Sequence, residues 1–249
     1  MELNDLMSNL FTNKNVAIVG PALYMSGSKL GKEIDEYDTV VRLNRSCESI
    51  LEYSQDIGNR TDVLYSCLIE KPANAGIINV EKFKDYGIKL VCAPPASNMK
   101  GLSNTTRLHE LIDLKKIEKL SKEIPVRVVD HNFHNKLALQ VDCRPNTGYM
   151  AIYDIIRMGP SKLGIYGFSF YLDGFIKGVK SGIIQEQNKS EEEFAEQCFN
   201  SKRHVQKNMW EYAKKTLVDN ENVKLDKFLT KILDLDCFSR KSFKETLKW

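Results

Sequence analysis

Short apolar runs recur along this chain of 249 residues, and each ends in a glycine or a polar residue. Residues 16–19 form one run, which stops at Gly20, and residues 39–43 form a β-branched run, which stops at Asn44. Runs of this length that are rich in β-branched residues are typical of buried strands. A glycine turn and a short helical stretch separate the two. The pattern predicts a β-α-β unit whose strands end at one edge of a parallel sheet, where open α/β sheets bind ligands.

Strand and helix patterns alternate over the rest of the chain. Further strands are predicted at residues 62–65, 89–92, 126–129 and 163–166, and helices near residues 80–86, at 106–123 and after residue 147. Such alternation is typical of helices packed on a parallel sheet. We therefore expect an α/β fold, a single Rossmann-like parallel sheet flanked by helices, in one domain of residues 1–249.

The loop after the first strand offers groups that suit an anion. Gly20, Gly27 and Gly31 do not have the spacing of a dinucleotide fingerprint, and the loop lacks the upstream glycine of a P-loop. Ser26, Gly27 and Ser28 nevertheless provide hydroxyl and N–H groups just before a predicted helix. Capping of that helix by Ser28 explains the same residues equally well.

A second segment, residues 143–171, repeats the design. A polar turn of Asn146, Thr147 and Gly148 precedes an apolar helix, and a strand follows that ends in Gly167. Unpaired N–H groups and the helix dipole favour a negative charge at such a turn. The two segments together predict a nucleotide site.

The same two segments resemble sialyl motifs L and S of the sialyltransferases. The chain has VGPALYMSGSKLGKEIDEYDTVVRLN in the first segment, then PNTG and YGFSF in the second. It is also similar to the compact bacterial sialyltransferases, through RPNTG and GFSFY. The resemblance implies a GT-A-like variant of the Rossmann-like fold and a CMP-sugar donor.

The resemblance also implies which residues bind the donor. Asn44 and Ser66 correspond to residues that face the nucleotide, although Ser66 is equally explained as a surface hydroxyl after a strand. The turn that holds the cytidine and the phosphate corresponds to Arg144, Asn146, Thr147 and Gly148, and the first-motif turn contributes Gly20.

Two further residues correspond to positions that take part in the reaction in that family. Tyr171 matches a tyrosine that hydrogen-bonds the leaving phosphate, although an aromatic residue after a strand is often only packed. His204 matches the catalytic histidine and is the candidate general base. Glu211 would share a helical face with His204, or would be solvated.

The expected function is an inverting glycosyltransferase that moves sialic acid or a related 2-keto sugar from its CMP-sugar to a hydroxyl of a glycan or glycolipid acceptor. A CMP-Kdo transferase is an alternative, because the motifs describe the CMP half better than the sugar. A nucleotide-binding module without catalysis is another, because Pro21 stands where the family has asparagine.

No cofactor and no metal are expected. The only Asp-x-Asp, at Asp234 and Asp236, lies away from any predicted strand end. His131 and His134 have a spacing that suits a metal, but no third ligand is evident, so a structural or acceptor-facing role is favoured.

Charge and hydropathy limit the classes of partner and the cellular location that we expect. The net charge of +3 gives little support to a nucleic-acid partner. No apolar run approaches membrane-spanning length, and the N-terminus is acidic, so a cytoplasmic protein is expected. Residues 224–249 read as a basic amphipathic helix, which would contact a membrane peripherally or dock on the sheet. Residues 172–200 are a candidate lid over the donor, or an ordinary exposed loop and helix.

Overall fold

The computed structural model describes residues 2–71, 75–95, 114–177, 179 and 181–246. Its centre is one seven-stranded sheet in which every neighbouring pair is parallel, in the order β5-β4-β3-β2-β1-β6-β7. The strands are β1 Asn15–Val19, β2 Thr39–Leu43, β3 Val63–Tyr65, β4 Leu90–Ala93, β5 Val126–Val128, β6 Lys162–Tyr166 and β7 Val223–Leu225. The α/β fold expected from the sequence is therefore confirmed.

Helices flank this sheet. In the described part of the chain they are α1 Leu3–Phe11, α2 Gly31–Asp35, α3 Ile50–Ile57, α4 Val80–Asp85, α5 Leu114–Ser121, α6 His131–Gln140, α7 Thr147–Ile156, α8 Ser181–Glu186, α9 Glu191–Phe199, α10 Gln206–Leu217, α11 Lys227–Leu233 and α12 Arg240–Thr246. Short 3₁₀ turns cover Leu23–Met25 and Asn44–Ser49. Of the helix predicted at residues 106–123, the part up to residue 113 lies outside the described residues.

The prediction of one amphipathic helix over residues 224–249 is wrong. Residues 223–225 form β7, which extends the sheet beside β6, and two short helices follow. Asp226 ends the strand and caps α11, because its carboxylate accepts from the backbone N–H groups of Phe228 and Leu229 at 2.8 Å. The apolar side chains of α11 are buried in the core, so they are not free to enter a membrane. Peripheral membrane contact stays a prediction.

The strand order reverses between β1 and β6, and this reversal opens the crevice in which such folds bind ligands. Gly20 and Gly167 end the two strands. Their backbones pack so closely that a Cβ atom on Gly20 would lie 2.3 Å from the carbonyl oxygen of Gly167. Only glycine fits there, so the loops that follow the two strands begin in close contact.

No helix in the described part of the chain combines the length and the apolarity needed to cross a bilayer.

Candidate active site

A cavity of about 490 Å³ lies at the carboxyl edge of the sheet. Loops after β1, β2 and β6, the N-terminus of α7, and the segment from α8 to α10 surround it. Seven of the residues that the sequence singled out line it together: Asn44, Arg144, Asn146, Thr147, Gly148, Tyr171 and His204. Residues more than one hundred positions apart in sequence thus share one space.

The N-terminus of α7 presents an anion site to this cavity. The side chain of Asn146 caps the helix by accepting from the N–H of Tyr149 at 2.9 Å. The N–H groups of Thr147 and Gly148 have no partner within the helix, as in any first turn. A Cβ atom on Gly148 would lie 2.8 Å from the Leu43 side chain, so glycine lets this turn approach the end of β2.

Asn44 is held in a fixed orientation at the end of β2. Its backbone has φ of 47°, and its side-chain oxygen accepts from the N–H of Cys67 at 3.0 Å. The amide nitrogen is therefore the group that it can donate to a ligand. Ser66 is only 1% exposed, so it is not a surface hydroxyl, and its oxygen accepts from the N–H of Leu68 at 3.2 Å. Ser66 does not line the cavity, although Cys67 does.

The structure does not bring Gly20, Ser26, Gly27 and Ser28 to the cavity wall. The N–H groups of Gly27 and Lys29 instead donate to the carboxylate of Asp56, at 2.8 and 2.9 Å. The loop does hold an anion, as its residues predict, but that anion is a side chain of the protein. Any donor contact by these residues stays a prediction.

Tyr171 lines the cavity on a strained turn after β6. Both Phe170 and Tyr171 have positive φ, 51° and 60°. Such conformations cost about 1–3 kcal/mol each in non-glycine residues and cluster at functional sites. Burial raises the pKa of the Tyr171 hydroxyl, with a smaller contribution from Cys198. The hydroxyl therefore keeps its proton at neutral pH and is a hydrogen-bond donor.

Described residues of the candidate lid, residues 172–200, form one wall of the cavity. Phe175 pairs with Ala22 in an antiparallel bridge, and the N–H of Ile176 donates to the carbonyl oxygen of Pro21 at 2.9 Å. Pro21 thus holds this segment in place through its carbonyl group, which needs no N–H. Phe194 and Cys198 of α9 also line the space. Closure of this segment over the donor stays a prediction.

His204 faces the cavity from the loop just before α10. Its Nδ1 lies 2.7 Å from the carbonyl oxygen of Arg144. A carbonyl oxygen only accepts, so Nδ1 carries the proton and Nε2 has the free lone pair. Burial lowers the pKa of His204 to about 4; the hydrogen bond opposes this, and the charges of Arg144 and Arg203 add to it. The ring is therefore neutral at pH 7, the form that a general base requires.

Glu211 does not join His204. It lies on α10, is exposed, and pairs with Lys207 at 3.7 Å. Of the two roles considered from the sequence, the solvated one is correct.

Comparison with known proteins assigns a family to this arrangement. The sequence profile of glycosyltransferase family 29 (sialyltransferase) matches residues 8–170. The chain belongs to this sialyltransferase family. No curated protein sequence matches it significantly.

Solved sialyltransferases have a related fold. Two variants of Cst-II in complex with CMP superimpose with TM-scores of 0.51 and 0.50, at 14% and 13% identity. Each comparison covers 82% of this chain and 78% of the other, and Cst-II comes from Campylobacter jejuni. A mammalian sialyltransferase in complex with Gal-beta-1-3GalNAc-ortho-nitrophenol has 14% identity over 86% of this chain and 69% of its own, with a TM-score of 0.49.

A buried network fixes the loop after β6 of this sialyltransferase-family protein. Asp226 accepts from the Tyr24 hydroxyl at 2.7 Å and from the N–H of Gly167 at 2.9 Å. The Tyr24 oxygen in turn accepts from the N–H of Phe168 at 2.9 Å. Sequence reasoning missed Asp226, because nothing local connects a residue of the C-terminal segment with this loop.

Two cavity residues of the sialyltransferase-family chain were not assigned to the donor site from the sequence. His134 is 1% exposed, and its Nδ1 has no hydrogen-bond partner among the described residues. Burial lowers the pKa of His134 to about 4, and the charge of Arg144 adds to this. Arg203 is exposed and also lines the space. Its only signal in the sequence is that it precedes His204. In the described part of the chain, no group of three or more histidine, cysteine or acidic residues could hold a metal ion.

Proposed function

We propose that this family 29 protein transfers sialic acid or a related 2-keto sugar from a CMP-sugar donor to a glycan hydroxyl, with inversion. One observation carries the proposal. The free Nε2 of His204 and the open N-terminus of α7 share one cavity, and the hydrogen bond from His204 to Arg144 ties them together. A base and an anion site in this relation suit transfer from a phosphate-linked donor.

The donor phosphate would lie at the N-terminus of α7. The N–H groups of Thr147 and Gly148 point to that position, and the Tyr171 hydroxyl would donate from the lid side. The Asn44 amide nitrogen would contact the nucleotide. Gly20 and Ser66 would act through their backbones or neighbours, since neither lines the cavity.

The reaction then needs one proton acceptor and one stabilised leaving group. The bond from the tertiary anomeric carbon to the phosphate oxygen breaks, and CMP leaves with the electron pair. The acceptor oxygen attacks the opposite face of that carbon, and its proton passes to Nε2 of His204. General-base catalysis of this kind contributes about 10²- to 10⁴-fold. We propose that helix N–H groups and Tyr171, without a metal ion, offset the phosphate charge.

The decisive experiment is incubation of the full chain with CMP-sialic acid or CMP-Kdo, with and without glycan acceptors. Acceptor-dependent CMP release, with a product of inverted anomeric configuration by NMR, would support the proposal. Release from CMP-Kdo alone would identify the other sugar. CMP binding without release over the acceptor panel would overturn the proposal and favour a nucleotide-binding module.

A further inference from the structure

The described wall of the cavity contains no acidic side chain, yet three arginines line it: Arg45, Arg144 and Arg203. Arg45 already has a partner, since its guanidinium lies 2.9 Å from the carboxylate of Glu48. Arg144 and Arg203 form no ion pair, and their guanidinium groups donate no hydrogen bond, within the described residues. Two cationic side chains of the cavity are thus left without a counter-charge.

Arg144 and Arg203 line the same cavity. Burial lowers the pKa of Arg144 to about 10, and the charge of Arg203 adds to the effect. Like charges held together without a carboxylate repel each other until an anion binds between or beside them. Such an arrangement is unfavourable in the empty protein and favourable in a complex with an acidic ligand.

The position of Arg203 assigns it to the acceptor side. Arg203 directly precedes His204, the proposed base, and is exposed at the cavity. The base must reach the attacking hydroxyl, so residues beside it border the acceptor. His134 lines the same cavity, and its buried Nδ1 has no hydrogen-bond partner among the described residues. The end of the cavity at His204 therefore contains hydrogen-bonding groups, on Arg203 and His134, that no described residue satisfies.

The donor does not account for all of this charge. A CMP-linked 2-keto acid sugar carries one phosphodiester charge and one carboxylate. The N-terminus of α7 suits the phosphate, and Arg144, in the turn leading to it, suits the carboxylate. Arg203 remains. We infer, on the basis of the proposed function, that the acceptor is acidic. Arg203 binds a carboxylate or a phosphate that the acceptor carries near its reacting hydroxyl.

The test uses three forms of one glycan acceptor: neutral, extended by a sugar acid, and bearing a phosphate monoester. The wild type should use at least one acidic form about tenfold better in kcat/KM than the neutral one. Arg203→Gln should reduce that ratio by about tenfold, to near one, mainly through KM, as loss of a charge-assisted hydrogen bond predicts. Lys202→Gln is the matched control: it removes the same charge one residue away, outside the cavity wall, and should keep the ratio.

A second readout keeps the inference testable without turnover. Calorimetric titration of the same acceptors into the CMP-saturated protein should show tighter binding of the acidic form to the wild type than to Arg203→Gln. Equal use and equal binding of neutral and acidic acceptors, or a preference that Arg203→Gln leaves intact, would overturn the inference while the transferase proposal stands. Absence of CMP release with every acceptor would instead overturn the transferase proposal. The calorimetric titrations would still show whether Arg203 binds an acidic group.

Discussion

His204 and Arg144 are 60 positions apart in sequence, yet the imidazole Nδ1 of the first lies 2.7 Å from the carbonyl oxygen of the second. Arg144 begins the turn that leads into α7, so the proposed base is anchored to the proposed donor turn. A shift of that turn would move the imidazole with it. Donor position and base position are therefore coupled through one backbone group.

His204→Ala should lower kcat by about 10²- to 10⁴-fold, because the acceptor proton loses its base, and should leave CMP affinity nearly intact. Steady-state kinetics and CMP titration measure the two effects. His131→Ala removes an exposed histidine of α6 and is the control. Near wild-type turnover by His204→Ala, together with an inactive His134→Ala, would assign the base to His134 instead.

The pH profile should show the environment of His204. Only its neutral form accepts a proton, and burial holds its pKa at about 4 in the free protein, so kcat/KM should fall as pH drops through about 4. In the donor complex, negative charge offsets Arg144 and Arg203 and raises that pKa, so kcat should fall at a higher pH. Coincident acid limbs for the two parameters would contradict this.

CMP should raise the melting temperature more than AMP or UMP does, because a ligand that binds only the native state stabilises it. Asn146→Ala should reduce the CMP-induced shift, since it loosens the N-terminus of α7. Asn79→Ala removes a comparable cap from α4, where the side chain accepts from Lys82 N–H at 3.0 Å. It should lower the melting temperature without changing the shift. Equal shifts with all three nucleotides would remove cytidine specificity.

Turnover should survive EDTA. The groups proposed to neutralise the leaving phosphate are N–H groups of α7 and the Tyr171 hydroxyl, which chelation does not affect. Tyr171→Phe should lower kcat by less than His204→Ala does. Activity lost on chelation and restored by Mg²⁺ or Mn²⁺ would assign the phosphate charge to a metal ion.

Asp226→Ala should destabilise the fold by about 3–5 kcal/mol, since it leaves several buried donors unpaired. Asp130→Ala is the matched control, because it removes a cap from α6, where the carboxylate accepts from Phe133 N–H at 2.7 Å. A cap alone is worth about 1 kcal/mol. Urea unfolding of both variants measures the difference, and equal losses would mean that the contacts of Asp226 to Tyr24 and Gly167 add nothing.

Local patterns in the sequence sufficed for most of the sheet. The strands predicted at residues 39–43 and 163–166 are β2 and β6, because apolar runs that end in polar residues reflect burial on both faces of a parallel sheet. The start of α7 was also predicted, because a polar turn precedes an apolar run there. β7 was not predicted, since its three residues are too few to establish a period.

Contacts made across the fold were beyond sequence reasoning. Asp56 fills the loop at Ser26–Ser28, and only the packing of α3 beside that loop reveals it. His134 and Arg203 reach the cavity because α6 and the loop before α10 converge there. The family resemblance singled out His204 as the candidate base, which composition and spacing alone would not have separated from the other histidines, and the structure places it at the cavity.

The carboxylate of Asp56 in the loop after β1 gives that loop a permanent internal ligand. Replacement of Asp56 by a neutral residue would expose a vacant set of N–H donors on Gly27 and Lys29, away from the cavity wall. Free phosphate in the buffer would then compete for a place that the native chain keeps closed. Asp56 in this way keeps these N–H groups occupied and ties α3 to the loop after β1.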